Sequence, residues 1–259
     1  MGVINLTPDS FSDGGFYLDP EKANSRASEL IKDGADVLDL GPQSTRPMAM
    51  EVGAEEELRR LTPALLAIRK SNPKSIISVD TFNSKVAESA LNMGANWIND
   101  ISGGRRDPEL LRIVAEAGCP YVLTHSRGDS KSMDDLTSYN HVTNDVCQGL
   151  LRRTDAAINA GLNLNQIIWD PGLGFAKTNE QNLTLLKEME IICSQDFPVL
   201  VGPSRKRFIG SVLNQPNPDL RLWGTAAVTC RCVQAKVSMV RVHDVKEISE
   251  ILLMANAIY

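Results

Sequence analysis

The residues best suited to chemistry begin in the first loop, residues 5–15, which read Asn-Leu-Thr-Pro-Asp-Ser-Phe-Ser-Asp-Gly-Gly. This loop offers two carboxylates, three hydroxyl groups and an amide, with Phe11 as its one aromatic side chain. Pro8 and the two glycines oppose both a longer strand and an early helix. Such a segment can order around a ligand, for which a metal-linked phosphate is the best match. A surface loop with no ligand is the alternative.

Two carboxylates and an amide further along the chain, Asp80, Asn99 and Asp170, suit a different ligand. They match a flat heterocycle with several N–H donors and an amide edge, such as a pterin or guanine. A buried carboxylate can accept two parallel hydrogen bonds from an aminopyrimidine edge, which fixes orientation as well as affinity. For either aspartate taken alone, a helix cap is the structural alternative.

Cationic residues near the C-terminal end indicate an anion site. Arg241 and His243, together with Asn5 and the first loop, suit an anion and a divalent cation. Residues 204–207 read Ser-Arg-Lys-Arg and follow Gly202 at the end of an apolar run. That position favours ligand contact over a solvated basic surface. A core histidine is the structural alternative for His243.

Short β-rich runs must position these candidates, because polar residues stand at the end of each run. Most of the runs are nearly continuous in apolar residues, which is typical of strands buried on both faces. The eight runs cover residues 3–4, 37–40, 76–79, 97–99, 121–124, 167–170, 199–201 and 239–242. Helical patterns separate them.

The helical patterns carry start and stop signals. Residues 19–21 and 107–109 both read Asp-Pro-Glu, which predicts an N-cap, a first helical proline and an acid in the first turn. Gly34 and Gly118 are placed to end these two helices. Pro63 lies inside a pattern that spans residues 55–70, and it predicts a late start or a kink.

Alternating strands and helices leave two architectures, a closed (β/α)8 barrel and an open doubly wound sheet. Eight repeats in 259 residues favour an α/β fold of the (β/α)8 TIM-barrel type, as a single domain over residues 1–259. No Gly-x-Gly-x-x-Gly follows an early strand, as a dinucleotide site in an open sheet would require. In a barrel, the polar residues at the strand ends converge on one mouth.

Composition excludes several classes of protein. The net charge of −5 argues against a nucleic-acid partner, and no apolar run is long enough for a membrane span. Five cysteines without Cys-x-x-Cys spacing predict reduced thiols and no zinc site. The chain opens on a strand rather than a signal peptide, so we expect a soluble, intracellular protein, cytoplasmic or mitochondrial.

Five segments together resemble dihydropteroate synthase. They are residues 5–15, the Ser-Thr-Arg-Pro at 44–47, the Asp-Pro-Gly-Leu-Gly-Phe at 170–175, the Ser-Arg-Lys at 204–206 and the Arg-Val-His at 241–243. The resemblance runs in order over essentially the whole chain. The form that these segments take in this chain looks like the synthase domain of eukaryotic, particularly fungal, folate-synthesis polypeptides. In those, the synthase follows aldolase and pyrophosphokinase domains.

The resemblance implies an activity and roles for residues. The family joins p-aminobenzoate to 6-hydroxymethyl-7,8-dihydropterin diphosphate and releases 7,8-dihydropteroate and pyrophosphate. The residues implied to hold the pterin are Asp80, Asn99, Asp170 and Lys206. Those implied for the diphosphate and its Mg²⁺ cofactor are Asn5 as metal ligand, Arg241, His243 and, nearby, Thr45.

The p-aminobenzoate site is implied to comprise Arg46 and Ser204, together with the first and second loops. Phe11, the one aromatic side chain of the first loop, is expected to cover the bound ligand. Asp80, Lys206 and Arg46 are the residues implied to act in catalysis. The expected partners are the two substrates and a second copy of the chain in a homodimer, with fusion to pyrophosphokinase and aldolase domains as a further possibility. No Ser-His-Asp or Cys-His nucleophile is expected, since an arylamine is already nucleophilic.

Three residues depart from the family pattern. Ser126 stands where the family usually shows Met, Ser130 where Pro is common and Gln43 where an acid is often seen. They bear on local packing and loop rigidity. Two other functions remain open: a methyltransferase using methyltetrahydrofolate, which would share the pterin residues, and a non-catalytic pterin-binding domain.

Overall fold

Eight strands alternate with helices in the computed structural model, which describes residues 1–7, 19–44 and 49–259. The strands are β1 (Gly2–Asn5), β2 (Val37–Gly41), β3 (Ile76–Asp80), β4 (Trp97–Asp100), β5 (Tyr121–Thr124), β6 (Ile167–Asp170), β7 (Leu200–Val201) and β8 (Met239–Val240). The α-helices in the described residues are α1 (Pro20–Lys32), α2 (Ala54–Ser71), α3 (Ser84–Asn92), α4 (Glu109–Ala117), α5 (Val142–Asn159), α6 (Asn179–Lys187), α7 (Met189–Cys193), α8 (Arg207–Val212), α9 (Leu222–Gln234) and α10 (Val245–Ile258).

The strands close into a parallel barrel, which confirms the predicted (β/α)8 fold. Strands β1 to β6 pair in chain order, and β7 pairs with β8. Two isolated parallel bridges join these sheets, one between Trp169 and Val199 and one between Gly2 and Val242. Strands β7 and β8 are shorter than predicted, because Val199 and Val242 make bridges instead of continuous ladders.

Burial on both faces explains the continuous apolar runs. All residues of β2 and β5 are buried, with side chains toward the barrel interior and toward the surrounding helices. Trp169 is the largest fully buried side chain among the described residues. Its Nε1 donates to Thr154 Oγ1 at 2.9 Å, and its ring stacks on Phe197 with centroids 4.4 Å apart. These contacts fasten β6 to α5 and to the connection between α7 and β7.

The start and stop signals of α1 are confirmed, and α4 ends before Gly118 as predicted but begins at Glu109, one residue after the proline that was expected to open it. The Asp19 side chain caps α1 by accepting from Glu21 N at 2.9 Å, and Gly34 follows the helix with a φ of 102°. Helix α2 begins at Ala54 and continues through Pro63, so the expected late start is wrong. Its buried face includes Leu61, Leu65 and Ile68, and their burial offsets the hydrogen bond that proline cannot donate.

The cysteines and the helices bear on two expectations from the sequence, reduced thiols and the lack of a membrane span. All five cysteines are free, and three of them are buried. Within the described residues, no helix is both long and apolar enough to cross a membrane.

Candidate active site

An ion-paired cluster occupies the barrel interior beneath the mouth. Arg241 Nε donates to Asp39 Oδ2 at 2.6 Å, and its Nη2 donates to Asp80 Oδ2 at 2.8 Å. Asp39 also accepts from Asn99 Nδ2 at 3.3 Å. One guanidinium thus ties together β2, β3 and β8, and Asn99 brings in β4. The cluster confirms that these strand ends converge.

Burial sets the electrostatics of this cluster. Asp39 is fully buried and Asp80 is nearly so. Loss of hydration raises the pKa of Asp80, against the opposing charge of Arg241. Asp39 Oδ1 is buried and has no hydrogen-bond partner among the described residues. The cluster therefore contains two carboxylates, Asp39 and Asp80, and the one guanidinium of Arg241. Its carboxylate oxygens can accept hydrogen bonds from further N–H groups.

Asp39 was missed by sequence reasoning because it lies inside β2 rather than at its end. The available signal was a carboxylate inside an otherwise apolar run, Val-Leu-Asp-Leu. Asp100, one residue after Asn99, has a structural role instead. It accepts from the backbone N–H groups of Ser102 and Gly104 and from the Tyr121 hydroxyl.

The end of β6 supplies a further buried carboxylate. Asp170 Oδ1 accepts from Gly172 N at 2.7 Å, which organises the turn after the strand. Gly172 has a φ of 69°, and a Cβ there would lie 2.0 Å from His125 O, so only glycine fits. Burial raises the pKa of Asp170, while the charges of Lys206, Lys177 and Arg241 oppose that rise.

Lys206 faces this carboxylate from the β7–α8 connection. Its Nζ lies 4.5 Å from the centroid of the Phe175 ring, a cation–π contact that holds the ammonium near the mouth. Burial lowers the pKa of Lys206 to about 8. Gly174 leaves room for this chain, since a Cβ there would approach Lys206 Cδ to 3.2 Å.

The rest of the basic run separates into ligand-facing and structural parts. Ser204 Oγ and His243 Nδ1 are 2.8 Å apart, which joins the ends of β7 and β8. Arg205 pairs with Asp244 and Asp219, so its charge is used within the fold. Arg207 likewise makes a two-pronged contact with Asp134. The interpretation of the whole run as ligand contact is therefore too broad.

Asn5 ends β1 at the same rim, next to Gly41. Its side chain makes no hydrogen bond to any residue that the structure describes, so its amide oxygen can serve a ligand. No group of three or more His, Cys, Asp and Glu side chains in the described ranges is arranged to hold a metal ion. Phe11, Thr45 and Arg46 lie outside the described residues.

A buried lysine that the sequence analysis did not single out lies behind the β6 turn. Lys177 Nζ contacts Gly172 O and Phe175 O at 3.0 Å each, and His125 Nδ1 at 3.2 Å. Burial lowers the pKa of Lys177 to about 7 and holds that of His125 well below its usual range. His125 is therefore a neutral acceptor rather than an anion ligand. The position of Lys177 in the sequence, shortly after the Asp-Pro-Gly turn and before a helix, does not indicate that its ammonium is buried.

The three residues that depart from the family pattern each join two loops. Ser126 Oγ donates to Ile101 O at 2.6 Å and accepts from Arg105 Nη2 at 2.8 Å. Gln43 Oε1 accepts a hydrogen bond from Val52 N at 2.8 Å, and a carboxylate oxygen at this position could accept the same hydrogen bond. Ser130 Oγ donates to Ala49 O at 2.8 Å. Packing around the mouth accommodates all three.

Comparisons with known proteins show the family of the chain. A family model described as pterin binding enzyme matches residues 1–243. The chain is 44% identical to the dihydropteroate synthase of Synechocystis sp. over 259 residues, all of this chain and 89% of that protein. It is 42% identical to the folic acid synthesis protein fol1 of Schizosaccharomyces pombe, where the match covers all of this chain but only 36% of the yeast polypeptide.

A solved structure of dihydropteroate synthase from Xanthomonas albilineans, in complex with 7,8-dihydropteroate, superposes with a TM-score of 0.88 at 35% identity. The match covers all of this chain and 92% of that one. These likenesses favour the synthase over the methyltransferase and over a non-catalytic domain. The chain therefore belongs to the dihydropteroate synthase family of pterin-binding enzymes, which are transferases of folate biosynthesis.

Proposed function

We propose that this dihydropteroate synthase holds the pterin ring on side chains at the ends of β3, β4 and β6. The reaction joins p-aminobenzoate to 6-hydroxymethyl-7,8-dihydropterin diphosphate and releases 7,8-dihydropteroate and pyrophosphate. The observation that carries the proposal is the presence of buried carboxylates, Asp80 and Asp170, at one barrel mouth. Both have lost hydration, and a ring with several N–H donors would restore the lost hydrogen bonds.

The neighbouring groups complete this pterin site. Asn99 supplies an amide whose orientation is set by Asp39. Lys206 supplies a donor near Asp170, and its contact with Phe175 keeps its long chain in place. Arg241 holds Asp80 in position and adds positive charge near the reacting centre. Of the residues implied to act in catalysis, Asp80 and Lys206 thus lie at this mouth.

The diphosphate would lie toward Asn5, Arg241 and His243. An amide oxygen is a ligand that Mg²⁺ accepts, and that of Asn5 is not used within the described fold, so the residue present fits the ion. When bound, Mg²⁺ would neutralise charge on the departing pyrophosphate. The Ser204–His243 pair orients the imidazole at this rim. Thr45 remains a candidate neighbour of the same substrate.

The arrangement suits departure of pyrophosphate before attack by the amine. The bond between the pterin methylene carbon and the diphosphate oxygen breaks, and the electron pair leaves with pyrophosphate. The carboxylates of Asp80 and Asp170 stabilise the positive charge left on the pterin. The arylamine nitrogen then forms the new bond to the methylene carbon and loses a proton to solvent. Arg46, Ser204 and Phe11 remain the proposed p-aminobenzoate site.

A homodimer and fusion to other folate-pathway domains are further parts of the proposal. Helices α9 and α10 pack together and expose large apolar side chains, among them Trp223 at 77% and Leu253 at 75% exposure. Exposed apolar area of this kind is typical of a protein–protein interface. The fission yeast relative, of which the match covers 36%, supports fusion to further domains, for which we propose pyrophosphokinase and aldolase. A cytoplasmic or mitochondrial location also stays a proposal.

Calorimetry with pterin ligands tests the residue roles. Asp80→Asn, Asn99→Ala and Asp170→Asn should each weaken binding of a dihydropterin at least tenfold, because each removes a directed acceptor. Asp155→Asn, at an exposed position of α5, is the matched control and should bind like the original protein. Unchanged affinity in all three site variants, with the fold intact, would reject the proposed site.

A further inference from the structure

Among the residues that the structure describes, Lys177 is a deeply buried cation near the mouth that the proposed reaction does not use. Its side chain is nine-tenths or more buried, and its Nζ has three close acceptors: Gly172 O, Phe175 O and His125 Nδ1. An ammonium group carries three protons, so these contacts can satisfy all of them. A ring nitrogen that accepts from an ammonium carries no proton, which places the proton of neutral His125 on Nε2.

These contacts join two strands behind the pterin site. Gly172 donates its N–H to Asp170, so a carbonyl held by Lys177 belongs to the same turn that orients this carboxylate. Phe175, the second carbonyl partner, places its ring beneath Lys206 Nζ. Lys177 therefore holds the turn that carries two proposed pterin contacts, and it anchors that turn to the end of β5.

The charge of Lys177 acts on the same turn. The charged or titratable groups that face it are Asp170 from β6, His125 and Arg127 from β5 and the loop that follows, and Lys206 from the β7–α8 connection. Asp170 is the carboxylate in this set, and each group of the pair favours the charged form of the other. Lys206 and Arg241 also face Asp170 and act in the same direction.

We propose that Lys177 is a positioning residue of the synthase reaction, which fixes the turn at residues 170–175 and keeps Asp170 ionised for the pterin. The proposal rests on the assignment of Asp170 to pterin binding. Burial lowers the pKa of Lys177 to about 7, so the ammonium is charged at lower pH. That is the range in which a buried carboxyl group would otherwise take up a proton.

The test is the pH dependence of dihydropterin affinity, measured by calorimetry between pH 5 and pH 8. Lys177→Met removes the charge and the donors, Lys177→Gln keeps amide donors without the charge, and Lys177→Arg keeps the charge. The control is Lys187→Met, at an exposed position of α6. Thermal unfolding and circular dichroism establish that each variant is folded.

Dihydropterin affinity should fall toward low pH as Asp170 is protonated, and we call this fall the acid limb. We expect the acid limb to move to higher pH in Lys177→Met and Lys177→Gln. It should stay in place in Lys177→Arg and in the control. Loss of a neighbouring positive charge raises a carboxyl pKa by about 1–3, and binding at a fixed pH below the limb weakens about tenfold for each pH unit that the limb moves. At pH 8 the loss should be smaller. A purely structural lysine would instead lower stability and leave the limb unmoved.

Two failures can be told apart. If Asp170→Asn binds the dihydropterin normally, the pterin assignment fails. If Asp170→Asn weakens binding but both neutral Lys177 variants keep the original acid limb, the proposal for Lys177 alone is overturned. Should Lys177→Met not fold, the Gln and Arg pair makes the same comparison.

Discussion

Replacing Asp39 by Asn should destabilise the barrel from the centre of its ion-paired cluster. Removal of one partner from a buried ion pair costs about 3–5 kcal/mol. Arg241 would keep its hydrogen bond to Asp80, and Asp39 Oδ1 has no described partner to lose. For both reasons, we expect the free energy of unfolding to fall by an amount at the lower end of this range, about 3 kcal/mol. The melting temperature should fall by roughly 6–12 °C for a chain of this size.

Urea unfolding followed by circular dichroism measures this loss, with exposed Asp155→Asn as the matched control. A double-mutant cycle with Arg241→Met isolates the interaction, because residues in direct contact do not contribute additively. The coupling between the two sites should be about 2 kcal/mol or more. Equal stabilities for Asp39→Asn and Asp155→Asn, or a coupling near zero, would refute the idea that Asp39 anchors Arg241.

Three other outcomes are expected. Burial raises the pKa of Asp80 and of Asp170, so these carboxylates become protonated as the pH is lowered. Affinity for a dihydropterin should therefore fall toward low pH. Tighter binding in acid, measured by calorimetry, would contradict this. His243→Ala should weaken pyrophosphate binding more than binding of a pterin without the diphosphate, and equal losses would count against the anion role. Phe11→Ala should raise the KM for p-aminobenzoate much more than that for the pterin in steady-state kinetics, whereas parallel changes would remove its role as a cover.

The fold was predictable because its signals are local and repeated. Eight apolar runs, each followed by polar residues, specify buried parallel strands whose carboxyl ends meet at one mouth. The ends of β7 and β8 were less predictable, since bridges at Val199 and Val242 depend on which strands become neighbours when the barrel closes. The effect of Pro63 was also hard to predict from the sequence. The packing of α2 on the barrel outweighs the local preference of proline against a helix interior.

The positions of the candidate residues were predictable at the strand ends and less so elsewhere. Asp80, Asn99 and Asp170 lie at or next to the last residue of a strand, so the sequence sufficed to predict that they meet at one mouth. Asp39 lies within a strand, and its partner Arg241 is 202 residues away along the chain, so only the tertiary structure brings them together. Lys177 looked like an ordinary lysine before a helix, because no local pattern indicates that its ammonium is buried.

The most direct test of the account is pyrophosphate release by the purified protein with dihydropterin diphosphate and a divalent cation, with and without p-aminobenzoate. We expect pyrophosphate release coupled to formation of dihydropteroate when the arylamine is present. Asp170→Asn should lose this activity, and Asp155→Asn should keep it. Absence of dihydropteroate from the folded protein with both substrates, or full activity in Asp170→Asn, would contradict the account.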